Sequence, residues 1–314
     1  MIWIVGAGNM ANEYVKVLKA LGVEFLVIGR GEISSKALSE KENINVASGG
    51  VENFLSTKPD CPSHAIICTP VEALSAVTLS LIQFGVSSIL VEKPGALNKE
   101  DLLELISEAK KAGAKVVIGY NRRFYQSVLK AEQYIEADGG LTAYNFEITE
   151  WSHCVVDAPS SLKVKEKWLL ANTSHVIDLA FYLGGYPVHL AAFSAGQLDW
   201  HPEASRFVGA GVSDKGALLS YMGYWDGPGR WSVELITRKN RYILRPMERL
   251  SVQRVGSVVI EECNDIDYSI DREFKPGLYL QTKSFLDGAH KRFATLSEQY
   301  KAFSHYSKIA SYNS

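Results

Sequence analysis

The chain has 314 residues, 46% of them hydrophobic, and carries 33 lysines and arginines against 35 acids for a formal charge of -2. That length suits two domains with sizeable cores, and the near-neutral balance leaves no electrostatic footprint for nucleic acid or an anionic membrane. A small-molecule partner is expected instead. Cys61, Cys68, Cys154 and Cys263 form no CxxC pair and no run with ligand spacing, so neither a metal site nor a disulfide framework is expected. The opening MIWIVGAGNM lacks the basic-then-apolar pattern of a secretory signal, which together with the unpaired thiols points to the cytoplasm. Residues 73–91 form an uncharged run of bilayer length, but seven of the 19 are Ser, Thr, Gln or Gly. The run also splits at Phe84-Gly85, which reads as a buried helix followed by a central strand.

Short β-branched runs at 2–5, 24–28, 44–47, 65–69, 87–91 and 115–119 alternate with longer amphipathic stretches. Met10, Tyr14, Val17, Leu18 and Leu21 mark one helical face; Leu102, Leu103, Ile106 and Ala109 place another helix at 98–112, with Asn98 as its N-cap and Gly113 as its stop. Repeated β-α units imply a doubly wound parallel sheet, so residues 1–120 are expected to form an α/β Rossmann domain. Beyond it, the pattern predicts a helix at 121–137, a long strand at 141–150, a loop at 151–167 and a helix at 168–183. Several antiparallel strands over 188–262 and two helices at 277–290 and 296–311 complete an α+β domain spanning 121–314. Strands such as 217–221 and 231–235 would leave an open apolar sheet face, which predicts a homodimer or homotetramer joined there.

Gly6-Ala7-Gly8-Asn9-Met10-Ala11 lies between the first strand and the first helix, the context a dinucleotide-binding GxGxxG/A loop requires. Gly6 allows the turn, Gly8 lets backbone approach a pyrophosphate, and the helix N-terminus presents free N–H groups to the anion. The second strand ends at Gly29-Arg30-Gly31-Glu32 with no acid at its tip, and Arg30 and Ser34 suit the 2′-phosphate of NADP better than the bare ribose of NAD. Glu32 gripping the ribose, with Arg30 merely solvated, is the competing reading. Cys68-Thr69-Pro70 and Val91-Glu92-Lys93-Pro94-Gly95 end the fourth and fifth strands, where ligands of open α/β sheets bind. Thr69, Pro70, Glu92 and Lys93 are therefore candidate cofactor contacts. Lys93, held partly from water, could relay a proton, although a Glu-Lys pair in a turn would read the same way.

Four motifs in order resemble the Gfo/Idh/MocA oxidoreductases: the GxGxxA loop, Glu92-Lys93-Pro94, the run Gly119 to Phe124 (GYNRRF), and the helix with His175 and Asp178. The resemblance covers essentially the whole chain. It implies that Lys93 exchanges the substrate proton beside the nicotinamide, that the Lys93-Pro94 bond is cis, and that His175 meets the same hydroxyl. It further implies that Tyr120, Asn121 and Arg123 line the floor beneath a sugar. Many members carry an Asp four positions before the His, where this chain has Ala171. Asn172 could orient a hydroxyl or the imidazole in its place, but an amide cannot act as a base. His175 could also be a core histidine bonded to backbone.

Within 151–167, Trp151 and His153, with Trp168 just beyond, could stack on a pyranose face, and Lys163, Lys165 and Lys167 could meet an anionic group; a solvated connection is equally compatible. The reading that results is an NADP-dependent oxidoreductase acting on a secondary hydroxyl or keto carbon of a sugar, sugar acid or sugar nucleotide. Two alternatives share these motifs: a redox-assisted glycosidase or lyase that returns its hydride, and a non-catalytic NADP-binding regulator.

Overall fold

The computed structural model describes residues 1–312. The chain divides into two compact units, one made of Met1–Asn121 with Arg272–Tyr300, the other of Arg122–Asp271 with the chain from Lys301 onward.

In the first unit, β1 (Ile2–Val5), β2 (Phe25–Ile28), β3 (Val46–Ala47), β4 (His64–Ile67), β5 (Ser88–Glu92) and β6 (Lys115–Gly119) lie parallel in the order β6-β5-β4-β1-β2-β3. All four residues of β1 are buried, as a central strand between two helical layers must be. The crossovers run through α1 (Asn9–Ala20), α2 (Glu32–Glu42), α3 (Val51–Ser56), α4 (Leu74–Phe84) and α5 (Lys99–Ala112). Helix α1 buries Ala11, Tyr14, Val15, Val17 and Leu18. Asn98 caps α5 by accepting from the Asp101 N–H at 2.8 Å, and Gly113 ends it at φ +65°. Gly85, at φ +105°, stops α4 before β5, so the uncharged run 73–91 is two elements. Among the described residues no helix is long and apolar enough to cross a membrane. Helix α2 escaped the sequence reading because only Ser35 and Leu38 along it are buried, too few for a periodic signal.

The second unit opens with a 3-10 turn that runs on from Asn121 to Phe124, followed by α6 (Gln126–Ala137) and β7 (Ala143–Glu147). The expected loop at 151–167 contains two short helices, α7 (Ser152–Asp157) and α8 (Leu162–Glu166). The expected helix at 168–183 begins as a π-helical turn, Leu169–Thr173, before α9 (Ser174–Gly184). Then come β8 (Pro187–Ala195), β9 (Arg206–Ser213), β10 (Leu218–Tyr224), β11 (Ser232–Ile236), β12 (Asn240–Leu244), β13 (Ser251–Arg254) and β14 (Ile260–Glu262). Their sheet runs β14-β13-β12-β11-β7-β10-β9-β8 and is antiparallel except where β7 meets β10. Helix α9 covers one face, with Phe181 edge-on to Phe146 at 5.9 Å. On the other face Phe193, Val208 and Met222 stand side by side in the ladder and are exposed, with Val188, Leu218 and Tyr224 nearby. Strand β11 departs from the expected apolar face: Val233 and Leu235 point into the core, and Glu234 is ion-paired with Arg241 at 3.4 Å.

After α10 (Ser269–Glu273) the chain rejoins the first unit through α11 (Leu278–Leu286) and β15 (Ala294–Thr295), and ends with α12 (Leu296–Ala310). Strand β15 pairs antiparallel with β6, Ala294 opposite Ile118. A single cut at residue 120 therefore leaves out Arg272–Tyr300, which cluster with the Rossmann strands. Of the expected second domain, residues 313 and 314 lie outside the described residues.

Candidate active site

Gly6 sits at φ +129°, and a Cβ there would lie 2.6 Å from the Cys68 carbonyl oxygen, so only glycine fits. Gly8 has the opposite surroundings: no atom stands within 4 Å of where its Cβ would be. It is also the N-cap of α1 and brings no side-chain acceptor, so the first-turn N–H groups of α1 are left for an anion. Ala7, Asn9 and Met10 are half-buried or exposed around this opening. On the neighbouring strand end, Thr69 has its hydroxyl oxygen buried with no hydrogen-bond partner among the described residues, directly before Pro70. An open glycine, an uncapped helix end and a stranded hydroxyl together fit a dinucleotide.

At the end of β2, Arg30 is exposed. The Ser34 hydroxyl donates to the Gly31 carbonyl at 3.1 Å within the first turn of α2, so its oxygen keeps accepting capacity there.

Glu92 closes β5 and is 9% exposed. The Tyr14 hydroxyl donates to its Oε1 at 2.7 Å, and Gln281 Nε2 donates to the Tyr14 oxygen at 3.0 Å, forming a buried chain Gln281–Tyr14–Glu92. Burial pushes the Glu92 carboxyl above its ordinary range, while Tyr14 and the charges of Lys93 and Lys275 pull it back. Burial and the Glu92 charge together hold the Tyr14 phenol well above its usual value, so it stays a donor. Lys93 is half-buried beside this chain, and the Lys93–Pro94 bond is cis. Tyr14, Lys275 and Gln281 were missed from sequence. Gln281 and Lys275 sit far along the chain, in the segment that rejoins this unit, where no local spacing could announce them.

The GYNRRF run does not present its side chains as expected. Tyr120 is buried and donates to Gln299 Oε1 at 3.0 Å, and Asn121 Nδ2 donates to the Pro276 carbonyl at 2.9 Å. Arg123 is 3% exposed; its Nε and Nη2 donate to the two Asp178 oxygens at 2.8 and 2.6 Å. Placing Arg123 under a sugar is therefore corrected: the guanidinium is spent inside the second unit, clamping α9 through Asp178. Its aromatic neighbour is Tyr182, at 4.5 Å.

His175, 8% exposed, lies near the start of α9 with its ring 6.4 Å from that of Trp231. Counting one α-turn back to Ala171 does not hold, because the π-helical turn at Leu169–Thr173 adds a residue to that turn. Asn172 is turned from any role toward the imidazole: its Nδ2 donates to Glu150 Oε1 at 3.1 Å. The Thr173 hydroxyl donates to the same oxygen at 2.6 Å, and Arg230 Nη1 donates to Oε2 at 3.3 Å. Burial pushes the Glu150 carboxyl up, and these donors draw it back. Trp151, 47% exposed, donates its Nε1 to the Gly229 carbonyl at 2.9 Å and carries the Arg230 guanidinium 4.7 Å from its ring. Lys165 donates to the Val156 carbonyl and Lys167 lies 4.1 Å from the Tyr312 ring, so two of the three loop lysines are tied locally.

The sequence matches no curated protein. Among solved structures it is similar to UDP-N-acetylglucosamine 3-dehydrogenase GnnA from Acidithiobacillus ferrooxidans, with 17% identity, a TM-score of 0.76, and coverage of 98% of this chain and 95% of that one. A levoglucosan dehydrogenase in complex with NADH and L-sorbose gives 15% identity and a TM-score of 0.79 over 99% and 95% of the two chains. An oxidoreductase from Agrobacterium radiobacter in complex with NAD+, L-tartaric acid and magnesium gives 13% identity and 0.77 over 97% and 93%. These likenesses establish the fold. Residues 1–120 match the family described as "Oxidoreductase family, NAD-binding Rossmann fold". That family model is the one for the Rossmann domain of the Gfo/Idh/MocA oxidoreductases, and the match stops where β6 ends.

Proposed function

We propose that the protein is an NADP-dependent oxidoreductase that moves hydride between the nicotinamide and a secondary hydroxyl or keto carbon of a sugar, sugar acid or sugar nucleotide. The observation that carries this reading is Lys93, half-buried at the carboxyl end of β5, on a Glu92 whose ionised form is supported by Tyr14 and Gln281. The solved structures of similar fold include enzymes named for sugar substrates, which supports a carbohydrate.

When bound, the dinucleotide supplies the hydride acceptor or donor. Gly6, Ala7, Gly8, Asn9 and Met10 would hold its pyrophosphate, with Thr69 and Pro70 beside it. Arg30 and Ser34 would take a 2′-phosphate, which favours NADP over NAD. Removing hydride from a carbinol carbon yields a ketone only if the hydroxyl proton also leaves, and Lys93 Nζ is the group proposed to take it; in reduction the same ammonium donates. His175 is proposed to hydrogen-bond the substrate. Glu92 keeps a negative charge next to Lys93, favouring the protonated amine when its own carboxyl is ionised. A cytoplasmic location is part of this reading, and the four free cysteines support it. The exposed Phe193–Val208–Met222 row supports a homodimer or homotetramer through the second sheet.

The reading is tested with Lys93→Ala. NADPH affinity, followed by nicotinamide fluorescence, is expected to change little while turnover on the preferred sugar falls by about a hundredfold or more. Unchanged turnover would overturn the assignment.

A further inference from the structure

Three arginines of the second unit, one buried and two exposed, are each matched to a buried acid. Arg123 is paired with Asp178 at 2.6 Å, Arg230 with Glu150 at 3.3 Å and Arg245 with Glu147 at 2.8 Å. Arg122 breaks the pattern. It is half-buried, its Nε is sealed from water, and its guanidinium has no hydrogen bond or ion pair among the described residues. Its guanidinium carbon lies 4.8 Å from the centre of the Trp231 ring and 5.9 Å from that of Tyr125. Arg230 lies 4.6 Å from the same Trp231 ring. One indole therefore carries two guanidinium groups, of which one has its carboxylate and the other does not.

A second donor in the same place is also unmatched. Trp231 is 5% exposed, and its Nε1 has no hydrogen-bond partner among the described residues. Stacking on aromatic rings offsets only part of the desolvation of an arginine, and a buried indole N–H ordinarily finds an acceptor. An anion with two or more oxygens would satisfy both donors. The His175 ring is 6.4 Å from Trp231, so an anion held there would stand beside the histidine proposed to contact the substrate.

We propose that Arg122, with Trp231, binds an anionic group of the substrate, so that the protein selects acidic carbohydrates over neutral ones. This rests on the oxidoreductase reading above and narrows its substrate class. The shared chemistry is an oxyanion, either the carboxylate of a sugar acid or the phosphate of a sugar nucleotide.

The test is equilibrium binding to the NADP-loaded full chain, read by tryptophan emission, with glucuronate, UDP and glucose as probes. At least one of glucuronate and UDP is expected to bind about tenfold or more tighter than glucose, and the one that does identifies the source of the oxyanion. Arg122→Gln is expected to weaken that anion by about ten- to a hundredfold and to leave glucose within about twofold, with Arg122→Lys in between. Trp231→Phe should remove the emission change. Equal binding of all three probes, no anion-dependent change even at high millimolar concentration, or an anion affinity indifferent to Arg122→Gln would each overturn the proposal. Failure of the oxidoreductase reading has a different signature: no sugar in a panel consumes or produces NADPH, whatever the binding data show for Arg122.

Discussion

Replacing Tyr14 with phenylalanine removes one oxygen and leaves the ring that packs inside α1. That oxygen is the middle of the Gln281–Tyr14–Glu92 chain, donating at 2.7 Å and accepting at 3.0 Å. Losing a donor to a buried carboxylate, and stranding the Gln281 amide, destabilises by about 2–4 kcal/mol while Glu92 is ionised. The sign of the pH dependence follows from Glu92. Burial raises its folded-state pKa above the unfolded value, so its contribution to stability is fully present below the unfolded pKa and is lost as pH rises through the folded one. Tyr14 opposes that loss by bonding the anion, and Tyr14→Phe should raise the Glu92 pKa further. The destabilisation should therefore be larger at about pH 8 than at about pH 5, where the carboxyl is increasingly neutral and the lost bond is an ordinary one. Urea unfolding of wild type and variant at both pH values, compared through midpoint and slope, measures this. A difference below about 0.5 kcal/mol at the higher pH, or one equal at both, would refute the argument that Tyr14 supports a charged Glu92.

Arg30→Ala is expected to weaken NADPH by about tenfold while leaving NADH nearly unchanged, measured by fluorescence titration; equal weakening of both would remove Arg30 from the 2′-phosphate. Asp178→Ala leaves the Arg123 guanidinium without its carboxylate at 3% exposure and should cost about 3–5 kcal/mol in denaturant unfolding, whereas Asp178→Asn, which keeps one acceptor, should cost less. Met222→Asp places a charge in the exposed row shared with Val208 and Phe193, and light scattering should show a lower mass than wild type; a monomeric wild type would overturn the proposed assembly.

The first unit was legible wherever one strand or helix carried its own signal. Asn98 and Gly113 announced both ends of α5, and Gly85 separated a helix from a strand inside an uncharged run. Helix α2 was silent because its outward faces are polar nearly all round. The candidate residues at strand ends, Thr69, Glu92 and Lys93, could be located by topology alone. Arg123 could not: a basic residue in a turn reads as solvent- or ligand-facing until its acid, 55 positions away on another helix, is brought to it. Spacing arguments failed at His175 for a different reason. They assume an α-helical repeat, and the turn before it is π-helical, which no residue pattern in Leu169–Thr173 advertises.

The late arrival of β15 sets an order of events during synthesis. The last parallel strand, β6, is complete at Gly119, but its outer edge is paired only when Ala294 and Thr295 exist. At ordinary translation rates the gap lasts roughly 10–35 s. For that interval a β-branched strand, with Val116, Val117 and Ile118 in its middle, presents open backbone groups to any passing edge. The nascent first unit also lacks Gln281, so Tyr14 and Glu92 meet before their third partner is made. A fragment ended at residue 120 would hold the molecule permanently in this condition, and association through β6 is the failure to expect of it.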